Sequence, residues 1–125
     1  MITGIDHIEL IVRDVDEFIR FFELMGWEVV KRTRHHRQSA ELKRPGDDQP
    51  IFEIHELGVE EVPGINHIAF RTGDIQTTYQ KLVEGGVRFS GPPHPIRETG
   101  RLIANFRDPD GWRLQLVDAR REQPT

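Results

Sequence analysis

The 125-residue sequence predicts an α+β protein made of two copies of one strand-helix-strand-strand-strand unit. Three observations predict it. The stretch Gly4-Ile5-Asp6-His7-Ile8 returns as Gly64-Ile65-Asn66-His67-Ile68, sixty positions later, and the same offset pairs Asp14 with Asp74 and Val15 with Ile75. Repetition at such a period marks two copies of one supersecondary unit. Each copy is followed by one helix signal and three strand signals. Glycine and proline punctuate the joins, at Gly26, Pro45-Gly46, Gly85-Gly86 and Asp108-Pro109-Asp110-Gly111. A unit of this size cannot bury its sheet face alone. The expectation is one domain over 1–125, with the first unit at about 4–57, the second at about 64–117, and helices on the outer face of a curved sheet.

The elements follow in order. Ile5 to Val12 is a nearly continuous apolar run broken by His7 and Glu9, and reads as a strand. With period two, Ile5, His7, Glu9 and Ile11 share one face, while Ile8, Leu10 and Val12 share the dry face. Asp14 opens a helix, with Glu17 three residues on as in a capping box. Val15, Phe18, Ile19 and Phe22 mark its apolar stripe, and Gly26 stops it. Strands are expected at 27–30, 38–43 and 51–57. On the last, Glu53 and His55 share a face with Ile51 and Leu57. In the second copy, strands are expected at 65–70, 87–89, 102–106 and 112–117, with a helix from Asp74 carrying Ile75, Tyr79, Leu82 and Val83 inward. Gly91-Pro92-Pro93-His94-Pro95 reads as a stiff loop, and the residues after Asp118 as a charged tail.

Composition excludes several classes. The sequence is 36% hydrophobic and 30% charged, with net charge −4, so nucleic acid is not an expected partner. It has no cysteine, hence no disulfide and no thiolate metal site. No apolar run reaches a membrane span and no signal peptide is visible, which makes a cytoplasmic protein the default.

The chemistry sits on the repeat. His7 and His67 occupy equivalent places. Glu53 lies 46 residues after His7, and Gln115 lies 48 after His67. Two imidazoles, a carboxylate and an amide oxygen make a sensible set for a divalent ion with open positions for water or substrate. A lone strand histidine is more often structural; the repeated position is what favours a ligand. His55 is in phase with Glu53 and is an alternative to it. Glu9, in phase with His7, is the nearest candidate for a carboxylate behind the ligands or for a base.

These openings, together with Asp108-Pro109-Asp110-Gly111 and the following Arg113-Leu114-Gln115-Leu116-Val117, resemble the vicinal oxygen chelate superfamily. That superfamily includes glyoxalase I, methylmalonyl-CoA epimerase, extradiol dioxygenases and the bleomycin and fosfomycin resistance proteins. The resemblance covers about residues 4 to 118. It implies paired βαβββ modules, a cupped eight-stranded mixed sheet and a homodimer. It implies metal positions at His7, Glu53, His67 and Gln115, for Zn, Ni, Co, Mn or Fe. The last position is usually Glu. Gln cannot take a proton, so Glu53 or Glu9 inherits the role of catalytic base.

The implied chemistry is chelation of neighbouring substrate oxygens by the ion and a proton shift alpha to a carbonyl, as in a lyase or isomerase. A metal-free antibiotic-sequestering protein and a ring-cleaving dioxygenase are the alternatives. The expected partner is a small molecule. The basic stretch from Lys31 to Arg44 is either a solvated strand and loop or a site for an anionic substrate, and Arg71, Arg97, Arg101 and Arg113 are candidates to add charge near the cavity of the second half. Phe89, Phe106 and Trp112 are expected to pack in the core.

Overall fold

The computed structural model describes residues 1–34, 37–46 and 48–119. His35, His36, Asp47 and most of the expected charged tail lie outside the described residues. The elements run β1 (Ile2–Val12), α1 (Val15–Leu24), β2 (Glu28–Thr33), β3 (Ser39–Lys43), β4 (Ile51–Glu56), β5 (Gly64–Thr72), α2 (Ile75–Glu84), β6 (His94–Pro95), β7 (Leu102–Arg107) and β8 (Arg113–Asp118). The strands form an eight-stranded mixed sheet in the order β2-β3-β4-β1-β5-β8-β7-β6. No helix among the described residues is long and apolar enough to cross a membrane.

The chain divides into two compact units. His7–Asn66 forms the first, and Met1–Asp6 joins the chain from His67 onward as the second. This differs from a simple division into halves, because the leading six residues cluster with the second unit. The reason lies in their bonds. Thr72 Oγ1 donates to the Met1 carbonyl at 3.1 Å, Thr3 Oγ1 donates to the Arg71 carbonyl at 3.2 Å, and Arg101 grips Asp6.

Within the first unit, β1 pairs parallel with β4, and β3 pairs antiparallel with both β4 and β2. Helix α1 follows from its cap. The Asp14 side chain accepts from the Glu17 N–H at 3.0 Å, satisfying one of the free donors of the first turn. The capping box is only half formed, since Glu17 accepts instead from Arg13 at 3.1 Å. Val15 and Ile19 then fall on the buried face and meet Val12, Ala40, Leu42 and Ile54. Phe22 links the helix to the sheet, with its ring 5.4 Å from Phe52 and 5.5 Å from Trp27. Gly26, at φ +100°, ends the helix in a conformation that favours glycine.

The second unit repeats the plan. Asp74 caps α2 by accepting from the Thr77 N–H at 3.1 Å, and Ile75 packs with Ala104 and Leu116. Here the expected strand at 87–89 is reduced to a single bridge between Phe89 and Phe106. The proline-rich stretch, expected as a loop, supplies β6 in its place, with His94 opposite Ile103 and Pro95 opposite Leu102. Proline is extended but cannot donate, so it suits the edge position that β6 holds. Phe89 and Phe106 enter the core, but Trp112 does not: it is 51% exposed beside the Asp108–Gly111 turn. Its backbone N–H instead helps close that turn by donating to Asp108 Oδ1 at 2.8 Å.

Candidate functional site

In the first unit the strand register assembles a row of acids. Glu9 of β1 lies opposite Glu53 of β4, and Glu53 lies opposite Glu41 of β3. Residues opposite one another share a face, so three carboxylates stand on neighbouring strands of one surface. Like charges placed this way destabilise a sheet. The surrounding residues offset part of that cost. His7 Nδ1 stands 3.5 Å from Glu53 Oε2, and His55 Nδ1 stands 3.1 Å from Glu9 Oε2. Lys31 is the register partner of Glu41 on its other side. The two histidines are buried, at 5% and 7% exposure, so their ring orientations are set by packing as well as by these contacts.

His55 is held at both ends. Its Nε2 lies 3.3 Å from both carboxylate oxygens of Glu61, in the segment joining β4 to β5. The Glu61 carboxylate also accepts from the Gly58 N–H at 2.7 Å. That backbone bond, and then His55 and Arg37 beside it, hold the Glu61 carboxyl below the usual carboxylate range.

The second unit has the same register and different chemistry. His67 stands two residues before Ala69, the partner of Gln115, just as His7 stands two before Glu9, the partner of Glu53. Gln115 in turn faces Asn105. The row Glu9-Glu53-Glu41 therefore corresponds to Ala69-Gln115-Asn105. Gln115 is 9% exposed and donates its side-chain amide N–H to Asn105 Oδ1 at 2.9 Å. His67 is half-buried on β5.

The donor chemistry can be tested against a divalent ion. Donors each about 2.1 Å from a tetrahedral ion stand about 3.4 Å from each other. The 3.5 Å between His7 Nδ1 and Glu53 Oε2 fits that spacing. Among the described residues no group of three or more His, Cys, Asp or Glu is close enough to hold an ion. The first unit thus offers a fitting pair of donors. A cavity of about 450 Å³ in the same unit belongs to another surface, lined by Leu10, Phe18, Phe21 and Ile65 beside Arg13 and Glu17.

Arg101 sits differently from the expectation, and in the basic stretch Arg32 is tied to its own surface neighbours. Arg101 is no free cation: it is buried, donates two hydrogen bonds to Asp6 at 3.1 and 3.2 Å, and contacts Asp118. In the basic stretch, Arg32 is bonded to Asp16 at 2.9 Å and to Gln38 at 3.3 Å. Two residues had escaped sequence reasoning. Glu41 becomes visible only through cross-strand register. Glu61 lies in an irregular connection where no periodicity gives its direction.

A parallel His-strand register carried twice, with acids concentrated in one copy, belongs to a known class. The chain matches the Glyoxalase/Bleomycin resistance protein/Dioxygenase superfamily over residues 4–116, and it is a member of that family. Among its relatives, a probable lactoylglutathione lyase of Synechocystis sp. is 24% identical over 120 residues, covering 89% of this chain and 92% of that one. The uncharacterized protein YwbC of Bacillus subtilis is 30% identical over 118 residues, covering 89% and 94%. In fold, the chain is similar to Streptomyces coelicolor methylmalonyl-CoA epimerase solved with 2-nitronate-propionyl-CoA. The TM-score is 0.76 at 24% identity, covering 99% of this chain and 100% of that one.

Proposed function

We propose that the protein is a divalent-metal-dependent lyase or isomerase that moves a proton alpha to a carbonyl, acting on a small thioester or related carbonyl compound. The observation that carries this reading is the acidic row. Three glutamates aligned across adjacent strands cost stability, and two of them are met by buried histidines rather than by free lysines or arginines. His7 and Glu53 are the residues to hold the ion. When bound, such an ion supplies Lewis-acid stabilisation of a developing enolate oxygen. With Glu53 assigned to the ion beside His7, Glu9, which stands against His55, is the group to take the proton. Glu9 has only 15% of its side chain exposed, so water competes poorly for that proton. The relatives named for methylmalonyl-CoA and lactoylglutathione supply the probe compounds, because both carry an exchangeable C–H beside a thioester carbonyl.

The test is solvent exchange. The purified protein, loaded in turn with Zn, Ni, Co, Mn or Fe, is incubated in heavy water with methylmalonyl-CoA or lactoylglutathione, and deuterium at the alpha carbon is followed. The wild type is expected to exchange at least one probe. Glu9→Gln is expected to lower the rate by about a hundredfold or more, and His7→Ala to lower metal content. Absence of exchange with every metal, or an undiminished rate in Glu9→Gln, would sink the proposal.

A further inference from the structure

We infer that Glu61, acting through His55, is a positioning residue for Glu9. This rests on the reading of Glu9 as the proton-moving group and extends it to a segment outside the sheet. His55 has a carboxylate near each ring nitrogen: Glu61 stands 3.3 Å from Nε2 in hydrogen-bond geometry, and Glu9 stands 3.1 Å from Nδ1, in close contact but out of hydrogen-bond alignment. A buried imidazole is a flat, rigid spacer, so the position of one carboxylate constrains the other. The His55 side chain is 9% exposed and cannot swing freely to solvent. It is further fixed by its strand, since β4 lies between β1 and β3 in the sheet.

The outer end of this chain of contacts is anchored to backbone. The Gly58 N–H bonds the Glu61 carboxylate at 2.7 Å. A Cβ at position 58 would stand 3.3 Å from Glu61 Oε1 and 3.3 Å from Arg37 Nε, so the Glu61 or Arg37 side chain would have to give by a few tenths of an ångström. The Leu57–Pro63 connection thus sets Glu61 in place, Glu61 sets the His55 ring, and the ring sets the Glu9 carboxylate beside Glu53. A carboxylate on a flexible side chain has several rotamers, and catalysis requires one. Fixing it beforehand removes that cost from the reaction.

Two readouts test this. In full-length protein carrying ¹³C at the glutamate side-chain carboxyls, with Glu9 assigned by the loss of its signal in Glu9→Gln, Glu61→Gln is expected to shift the Glu9 resonance. In a His55→Gln background the same Glu61 substitution is expected to leave it where it is. Gly58→Ala disturbs Glu61 from the other side and serves as a second perturbation should His55→Gln fail to fold. With whichever thioester probe exchanges, Glu61→Gln is expected to lower kcat by about tenfold while KM stays within about twofold; a general loosening of the unit would move both together with Tm. The inference is overturned if the Glu9 resonance ignores both Glu61→Gln and Gly58→Ala, or if Glu61→Gln shifts it equally without His55. It is also overturned if the probe is turned over with unchanged kcat in Glu61→Gln. If the resonance responds but neither probe exchanges, the positional link stands and the proposed reaction falls.

Discussion

Replacing Asp6 by Asn tests what holds the leading six residues in the second unit. Asp6 is 2% exposed, and both of its carboxylate oxygens accept from the Arg101 guanidinium, at 3.1 and 3.2 Å. Asn keeps the shape but offers one acceptor where there were two, and its amide N–H₂ points donors at a cation. Breaking one side of a buried ion pair costs about 3–5 kcal/mol, because the stranded charge stays buried. Arg101 retains the Asp118 carbonyl and lies 3.5 Å from the Asp118 carboxylate, which places the expected loss at the lower end, about 3 kcal/mol. With a urea m-value of about 1.5 kcal/mol per molar for a chain of this size, the unfolding midpoint falls by about 2 M. Equilibrium urea unfolding followed by circular dichroism measures it. A shift below about 0.5 M would refute the claim that this pair, rather than the β1 backbone ladder, secures the segment. A second variant separates charge burial from packing. Asp6→Leu with Arg101→Met removes both charges and should recover much of the loss, since an apolar pair has no desolvation penalty to repay.

Other predictions are smaller. Thr72 and Thr78 are fully buried and their hydroxyls are 2.6 Å apart, so Thr78→Val should cost about 1–2 kcal/mol in the same assay. The lowered carboxyls of Glu61 and Asp74 set an acid dependence. Asp74 is held down first by the Thr77 N–H and then by the Thr77 hydroxyl. A carboxyl whose folded pKa is below its unfolded value contributes stability that is complete above about pH 5 and is lost as pH falls through the folded pKa. Thermal melts between about pH 6 and pH 3 should therefore show a falling Tm, and the fall should be shallower in a Glu61→Gln, Asp74→Asn variant. An identical slope in that variant would contradict the assignment.

Much of the fold was legible because the sequence states it twice. Asp14 and Asp74 announce both helices, and both cap them by the same bond to the third residue on. The polar residues on β1 and β4 could be read by alternation alone. What failed were features set by distant partners. Arg101 follows a proline-rich stretch with no periodicity, and its partner Asp6 is 95 residues away in sequence, so it looked like a free cation. Trp112 is large and apolar, yet the turn that it adjoins holds it at the surface. Phe89 sits in an apolar run that resembles a strand, but it forms one bridge only, to Phe106, and the edge is supplied by His94 and Pro95. For the site, residue types and spacing pointed to His7, Glu53 and Glu9. Cross-strand register, which a single sequence does not carry, was needed to add Glu41, and the path of a connection was needed to add Glu61.

The attachment of Met1–Asp6 to the second unit has a consequence for how the chain folds. The first unit is a continuous stretch, and its strands and helix can pair as soon as they have been synthesised. The second unit needs both ends of the chain. The buried charge of Asp6 is matched only once Arg101, 95 residues further along the chain, is in place. Closing a loop of that length is an entropic cost met late. The segment Met1–Asp6 is thus held by contacts distant in sequence, and its closure should be a late step of folding.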